Sequence, residues 1–319
     1  MTDAFQPSRR RLLGALSAAA LAAALPRPAR AASDTLRIGY QKYGTLVLLK
    51  AQGTLKKRLA PLGIQVKWAE FPGGPQLLEA LNVGSVDFGT TGETPPIFAQ
   101  AAGADLQYVA YEPPAPKGEA IVVAKDSPLK SVKDLKGKRV ALNKGSNVHY
   151  LLVKALEKAG LKYEDVQTVF LNPSDARAAF ERGSVDAWVI WDPFLAAAEH
   201  QLGARQLADG VGLVSNHQFY LASRRYAEQN GKVIKLIVEE LARLDAWARQ
   251  NFKDVAGQLS SQIGLDVNIV RVAAERGTYD VRLLDAKVIA EQQRIADVFH
   301  QLKLIPKPLS VKDIVWSGQ

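Results

Sequence analysis

Three short runs hold residue types suited to gripping a small anion. The first is Thr90-Thr91-Gly92-Glu93, with Pro95 and Pro96 close behind. Proline is tolerated in a first helical turn, where N–H groups lack an intrahelical acceptor. The run therefore reads as a turn between a strand ending at Gly89 and a helix. Two hydroxyls, a glycine that admits close approach and orphan N–H groups suit an oxyanion. Plain N-capping by Thr91 is the simpler reading of that one residue. The second run, Gly145-Ser146-Asn147, opens an apolar helical stretch over 148–159, and Ser146 or Asn147 could equally be its cap. His149 falls in its first turn and could donate a hydrogen bond, and Lys144 precedes it. The third run is Trp191-Asp192-Pro193 at the end of an apolar strand. There Asp192 as N-cap before Pro193 is a sufficient account, and Trp191 is either core or a flat apolar wall. Gln41-Lys42-Tyr43-Gly44 forms a further turn after a strand, and Phe71-Pro72-Gly73-Gly74 forms an edge loop.

This is chemistry of capture. The sequence has no Gly-x-Ser-x-Gly, no phosphate loop, no His-Glu-x-x-His and no complete dinucleotide fingerprint. His149, His200, His217 and His300 lack metal-ligand spacing, and cysteine is absent. No enzyme, metal or cofactor is expected.

The elements that must position these runs form a repeat. Arg37-Ile38-Gly39-Tyr40-Gln41-Lys42 resembles Arg139-Val140-Ala141-Leu142-Asn143-Lys144, each leading through a glycine into an apolar helical run. At nearly the same interval, Gly84-Ser85-Val86-Asp87 returns as Gly183-Ser184-Val185-Asp186. Strands are expected over 35–40, 64–71, 86–89 and 106–111 for a first sheet. A second sheet is expected from 120–124, 139–142, 166–171 and 187–191. Helices over 45–59, 76–83, 147–159 and 174–181 alternate with them, which predicts an α/β fold with two mainly parallel sheets. The proline-rich stretch Tyr111 to Lys117 is a connector. The chain is expected to cross back near 216–221, because the pattern beyond Arg224 is purely helical. The resulting division is 32–112 plus 221–319 for one lobe and 118–215 for the other, with hinges near 111–118 and 216–221. Strand ends are where such sheets hold ligands.

The N-terminus has a different character. Ser8-Arg9-Arg10-Arg11-Leu12-Leu13 reads as a twin-arginine export motif, followed by an apolar stretch to Leu25 and a small-x-small site at Ala29-Arg30-Ala31. That stretch is shorter than the ~20 residues a spanning helix needs. Residues 1–31 are read as a removable signal peptide, which makes the remainder a soluble periplasmic protein. The net charge of +9 falls to +5 on their removal, as Arg9, Arg10, Arg11, Arg27, Arg30 and Asp3 leave. With no basic stripe interleaved with aromatics, nucleic acid is not an expected partner. A monomer is expected.

Several runs together resemble the aliphatic sulfonate-binding proteins of bacterial ABC importers. They are Leu36 to Lys42, Glu70 to Gln76, Ala80 to Phe88, Thr91 to Gln100, Lys144 to Ser146, Pro173 to Phe180 and Trp188 to Pro193. The resemblance implies a two-lobed periplasmic binding fold of the two-crossing type (type II). It also implies capture of an alkanesulfonate and its delivery to a membrane permease with its ATPase for sulfur supply. Receptors for taurine, nitrate or a thiamine precursor share the fold, as do cofactor-precursor synthases. Carried onto this chain, it implies ligand positions at Gln41, Thr91, Gly92, Glu93, Gly145, Ser146, Trp191 and Asp192. The residue reading adds Thr90, Asn147 and His149. Glu93 and Asp192 would cap helices or hold an ammonium group on a zwitterionic sulfonate.

Overall fold

The computed structural model describes residues 35–318, so the expected export signal at 1–31 lies outside the described residues. The first sheet has the order β2-β1-β3-β10-β4, from β1 Thr35–Tyr40, β2 Gln65–Glu70, β3 Phe88–Gly92, β4 Leu106–Glu112 and β10 Gln218–Ser223. The second is β7-β6-β8-β5-β9, from β5 Glu119–Val123, β6 Arg139–Leu142, β7 Gln167–Phe170, β8 Ala187–Trp191 and β9 Arg205–Asp209. β1 runs parallel to β2 and β3, and β6 to β7 and β8. Only β10 and β5 run antiparallel to their neighbours. Each is the strand that arrives from the other sheet, and each takes the fourth place in its new one. The mainly parallel α/β reading therefore holds, with one returning strand exchanged in each direction.

Two strands are missing from the sequence reading. β9 is only partly buried, and β10 lies where the second crossing was expected. Residues 218–221 already belong to β10, so the chain changes sheets over 210–217 instead. β10 has the continuous apolar character of a strand covered on both faces, which leaves no alternation to read. The helix expected over 45–59 is two, α1 Gly44–Gln52 and α2 Thr54–Leu59, broken where Gly53 turns left-handed at φ 63. Helices α3 Gly74–Asn82, α4 Pro95–Ala101, α5 Asn147–Lys158, α6 Pro173–Glu181 and α7 Phe194–Leu202 then alternate with strands. The helical end comprises α8 Arg224–Gln229, α9 Gly231–Ala248, α10 Phe252–Ile263, α11 Val267–Arg276 and α12 Ala286–Gln301.

The first sheet is buried on both faces. Leu36, Ile38 and Phe88 pack with α1 and with Ile234, Ile237, Leu241 and Leu244 of α9. On the other face Leu77, Ile97, Tyr108 and Phe219 pack with Ile295 and Phe299 of α12. Tyr150 and Val153 of α5 join that second cluster, so apolar contact ties the two sheets' helical layers together. The second sheet's core is Ile121, Val140, Leu142, Leu151, Trp188 and their neighbours.

The repeated Gly-Ser-Val-Asp motif has a structural task. Asp87 N–H donates to the Arg37 carbonyl at 2.8 Å, and Asp186 N–H to the Arg139 carbonyl at the same distance. Each carboxylate returns a bond from the facing strand: Arg37 N–H to Asp87 at 2.8 Å, Arg139 N–H to Asp186 at 2.7 Å. The two copies differ in depth. The Asp87 side chain is 6% exposed and takes two further bonds from the Arg37 guanidinium, whereas Asp186 is 36% exposed with its arginine at 3.9 Å. Asp87→Ala should therefore cost about 2–3 kcal/mol in a urea titration, by stranding buried donors, and Asp186→Ala about 1 kcal/mol. Equal losses would contradict this account.

Candidate functional site

A cavity of about 90 Å³ lies beyond the carboxyl ends of β1, β3, β4 and β8, bordered by residues of both sheets. Open α/β sheets hold ligands at such strand ends. Four helices begin at its wall: α4 opens on Pro95-Pro96, which have no N–H to offer, and three can present donors, α1 at Gly44, α3 at Gly74 and α5 at Asn147. None of the three has a side-chain cap. Their first-turn N–H groups carry the positive end of the helix dipole and have no intrahelical acceptor.

The side chains around these helix starts are largely engaged with one another. Gln41 Nε2 donates to Tyr43 Oη and to the Thr90 carbonyl, both at 3.1 Å. Tyr43 Oη donates to Gln218 Oε1 at 2.7 Å, which pins the β1–α1 turn to the returning strand. Asn147 Nδ2 donates to Glu119 and, at 3.1 Å, to Asn216 Oδ1. Asn216 Nδ2 in turn donates to the Ala115 carbonyl at 2.9 Å. A Cβ on Gly92 would stand 2.9 Å from Asn147 side-chain atoms, so glycine is what lets β3 and α5 approach this closely. Trp191, Leu259 and Ile263 of α10 and Val270, Ala273 and Ala274 of α11 also line the cavity. So does Arg276, with Nη2 2.7 Å from Glu199 and Nη1 3.5 Å from Asp192.

Of the residues expected from sequence, Gln41, Thr90, Gly92, Asn147, Trp191 and Asp192 line this cavity. The others sit behind it or elsewhere. Thr90-Thr91-Gly92 is strand, not turn, so Thr91 points away from Thr90's side and its hydroxyl donates to the Gly92 carbonyl at 3.0 Å. Glu93 is fully buried, and its Oε2 accepts from His217 N–H at 3.0 Å. Ser146 stands at the N-cap of α5 but donates to the Asn143 carbonyl at 2.7 Å instead of capping. Gly145 borders a separate groove with Lys144, Phe98 and Phe170. His149 is buried, accepts from Gly145 N–H at 3.2 Å and lies 2.7 Å from Tyr163 Oη. Burial, then the Lys144 charge, lowers its pKa to about 4, so it is a neutral structural imidazole. Asp192 Oδ1 does accept from Ala196 N–H at 3.0 Å, but Pro193 occupies the N-cap position instead of the first helical one.

Thr45, Glu112, Asn216, Gln218, Tyr220, Arg276 and Tyr279 also line the cavity and were not singled out from sequence. The one usable signal was position: Glu112 and Asn216 flank the two crossings. Burial raises the acids here. Glu112 is raised first by desolvation and then by Asp245, to which Thr45 Oγ1 bonds at 2.6 Å. Glu119 is raised by burial and then by Glu93. Burial lifts Asp192 to about 6 against the pull of Arg276, and Glu93 to about 7. Glu112 and Glu119 are thereby held toward their neutral form, whereas Asp192 stands paired with Arg276.

A raised carboxyl pKa means the folded chain keeps a proton that the unfolded chain releases. Glu93 therefore supports the fold fully below about pH 4.5, and its support declines as pH rises toward about 7. Measured as melting temperature relative to the parent at each pH, Glu93→Gln should gain on the parent between pH 5 and pH 8. A constant difference across that range would contradict the assignment.

The family model for NMT1/THI5-like proteins matches residues 60–251. The chain is 46% identical over 307 residues to an aliphatic sulfonates-binding protein of Escherichia coli strain K12, covering 96% of this chain and 94% of that one. Among solved structures it is similar to the alkanesulfonate-binding protein SsuA from Xanthomonas axonopodis pv. citri bound to MOPS. There the TM-score is 0.85 at 44% identity, covering 90% of this chain and 99% of the other. It is also similar to the periplasmic aliphatic sulphonate binding protein of Escherichia coli, at TM-score 0.80 and 47% identity, covering 89% of this chain and 92% of the other. With the exchanged-strand sheets and the cavity between them, this places the chain in the family of aliphatic sulfonate-binding proteins of the periplasmic binding protein fold.

Proposed function

We propose that this chain captures aliphatic sulfonates outside the cytoplasm and hands them to an ABC permease and its ATPase. The observation that carries the reading is the meeting of three uncapped helix N-termini at one cavity, drawn from both sheets. A sulfonate is a permanent tetrahedral anion whose three oxygens only accept hydrogen bonds. Backbone N–H groups at helix starts supply donors and favourable dipoles without a counter-charge. Binding without full charge neutralisation keeps release to a permease possible. The names of the relatives supply the substrate class that geometry alone would leave as a small oxyanion.

A receptor rather than an enzyme is the reading supported by the relatives, which are named as binding proteins. Export would follow the Arg9-Arg10-Arg11 motif, on which the periplasmic location of this chain rests together with the relatives. Among the described residues no helix is long and apolar enough to cross a membrane. The two crossings, 113–118 and 210–217, would serve as hinges between the two sheets and their helices, closing on the ligand as a monomer.

Thermal shift tests the substrate. An alkanesulfonate at 100 times its dissociation constant should add about 2.7 kcal/mol of stability, a rise of several degrees. If no alkanesulfonate raises the melting temperature while nitrate, taurine or a pyrimidine does, the proposed substrate is wrong.

A further inference from the structure

Glu112 ends β4 at the first crossing and lines the cavity with 5% of its surface exposed. What touches its carboxyl are hydroxyls. Tyr220 Oη of β10 donates to Oε1, and Thr45 Oγ1 of α1 stands 3.4 Å from the same oxygen. Both contacts fall on Oε1, which leaves Oε2 as the atom able to meet a ligand. Thr45 Oγ1 also lies 2.6 Å from Asp245 Oδ1 of α9, so one hydroxyl stands between two buried carboxyls. The other titratable groups facing Glu112 are Tyr43 from the β1–α1 turn, and Tyr279 and Asp280 from the segment after α11. His217 meets only its backbone, with Nδ1 2.8 Å from the Glu112 carbonyl. Nearby cations are paired with other acids: Lys42 with Glu70, Arg249 with Asp280, and Arg276 with Glu199 and Asp192. A carboxyl among hydroxyls and a second acid keeps its proton, because burial and then Asp245 favour the neutral form.

We propose that Glu112 gates the cavity by its charge: protonated, it gives its O–H to the bound anion beside the backbone N–H groups, and ionised, it repels that anion. The inference rests on the sulfonate reading above and adds a condition to it. A sulfonate keeps its charge across the neutral range and has no proton to bring. Any proton taken up on binding therefore goes onto the protein. Since the anion favours the neutral acid, it holds the Glu112 proton more firmly, and capture draws in up to one proton. Binding is then strongest below the pH at which Glu112 titrates in the free protein. It weakens as pH rises through that point, by about tenfold per unit once the ionised form dominates. Backbone N–H groups do not titrate, so a site made of helix starts alone would show no such slope.

The test is a calorimetric titration with ethanesulfonate from pH 5 to pH 9, in buffers that are not themselves sulfonates. Parent affinity should hold level on the acid side and fall by about tenfold per pH unit on the alkaline side. Repeated in buffers of different ionisation heat, it should count a proton uptake that climbs toward one where affinity falls. Glu112→Gln keeps the shape, stays neutral and still offers an N–H. It should bind at the parent's acid-side strength at every pH and take up no proton. Asp245→Asn removes a charge that raises Glu112, so it should move the fall to lower pH. That displacement and the parent's own proton count are readouts that loss of folding in Glu112→Gln cannot imitate. Glu93→Gln, behind the lining, should leave the profile in place. A parent affinity and proton count independent of pH overturn the gate and leave the helix-start reading standing. So does a fall that persists in Glu112→Gln and disappears in Glu93→Gln. Failure of ethanesulfonate to bind the parent at any pH overturns the sulfonate reading itself.

Discussion

The cleft depends on the hydrogen bonds by which the two crossing segments hold each other. Ala115 N–H donates to the Ser215 carbonyl at 3.0 Å, and Gly210 N–H to the Pro116 carbonyl at 3.0 Å. Asn216, at φ 52, turns its amide back to the Ala115 carbonyl and receives Asn147. These contacts bring the end of β4 beside the start of β10, and the start of β5 beside the end of β9. Because β5 and β10 each enter the opposite sheet antiparallel, the carboxyl ends of both sets of parallel strands turn toward one cavity. Helices that follow those strands must then begin there, and their dipoles converge. One topological exchange thus turns helix starts from both sheets toward the proposed anion site.

Several buried carboxyls surround that positive convergence. Glu93, Glu112 and Glu119 lie behind the lining or in it, and Asp192 stands against Arg276. Burial favours the neutral form of the three glutamates, so they act as hydrogen-bonding struts between elements. Asn147 illustrates the arrangement: its amide ties α5 to Glu119 and Asn216 while its backbone opens the helix at the cavity. Arg276 serves the opposite wall in the same way, joining α11 to α7 through Glu199 and Asp192.

Much of the frame was legible because it is local. The Arg37/Asp87 and Arg139/Asp186 pairs recur with the strands they join, and Gly and Pro mark the ends where Gln41, Thr90, Gly92, Trp191 and Asp192 reach the cavity. The failures have physical causes. Extending β3 by three residues moved Thr91 to the far face, since strand side chains alternate. His149 looked like a cleft donor from its place in a first turn, but α5 turns it toward Tyr163. Gln218 sits on a strand with no readable alternation, and Arg276 ends a helix whose docking on α7 is tertiary. Local pattern cannot report either.

The central claim is that backbone N–H groups at helix starts, and not a cationic side chain, receive the sulfonate. The most direct measurement follows the amide resonances of isotope-labelled protein during titration with methanesulfonate. The account predicts that Gly44, Thr45, Gly74 and Asn147 shift together and saturate at one concentration, while the Arg276 guanidinium signal stays in place. Unchanged resonances at those four amides, with saturating shifts at Lys42 or Arg276 instead, would contradict it.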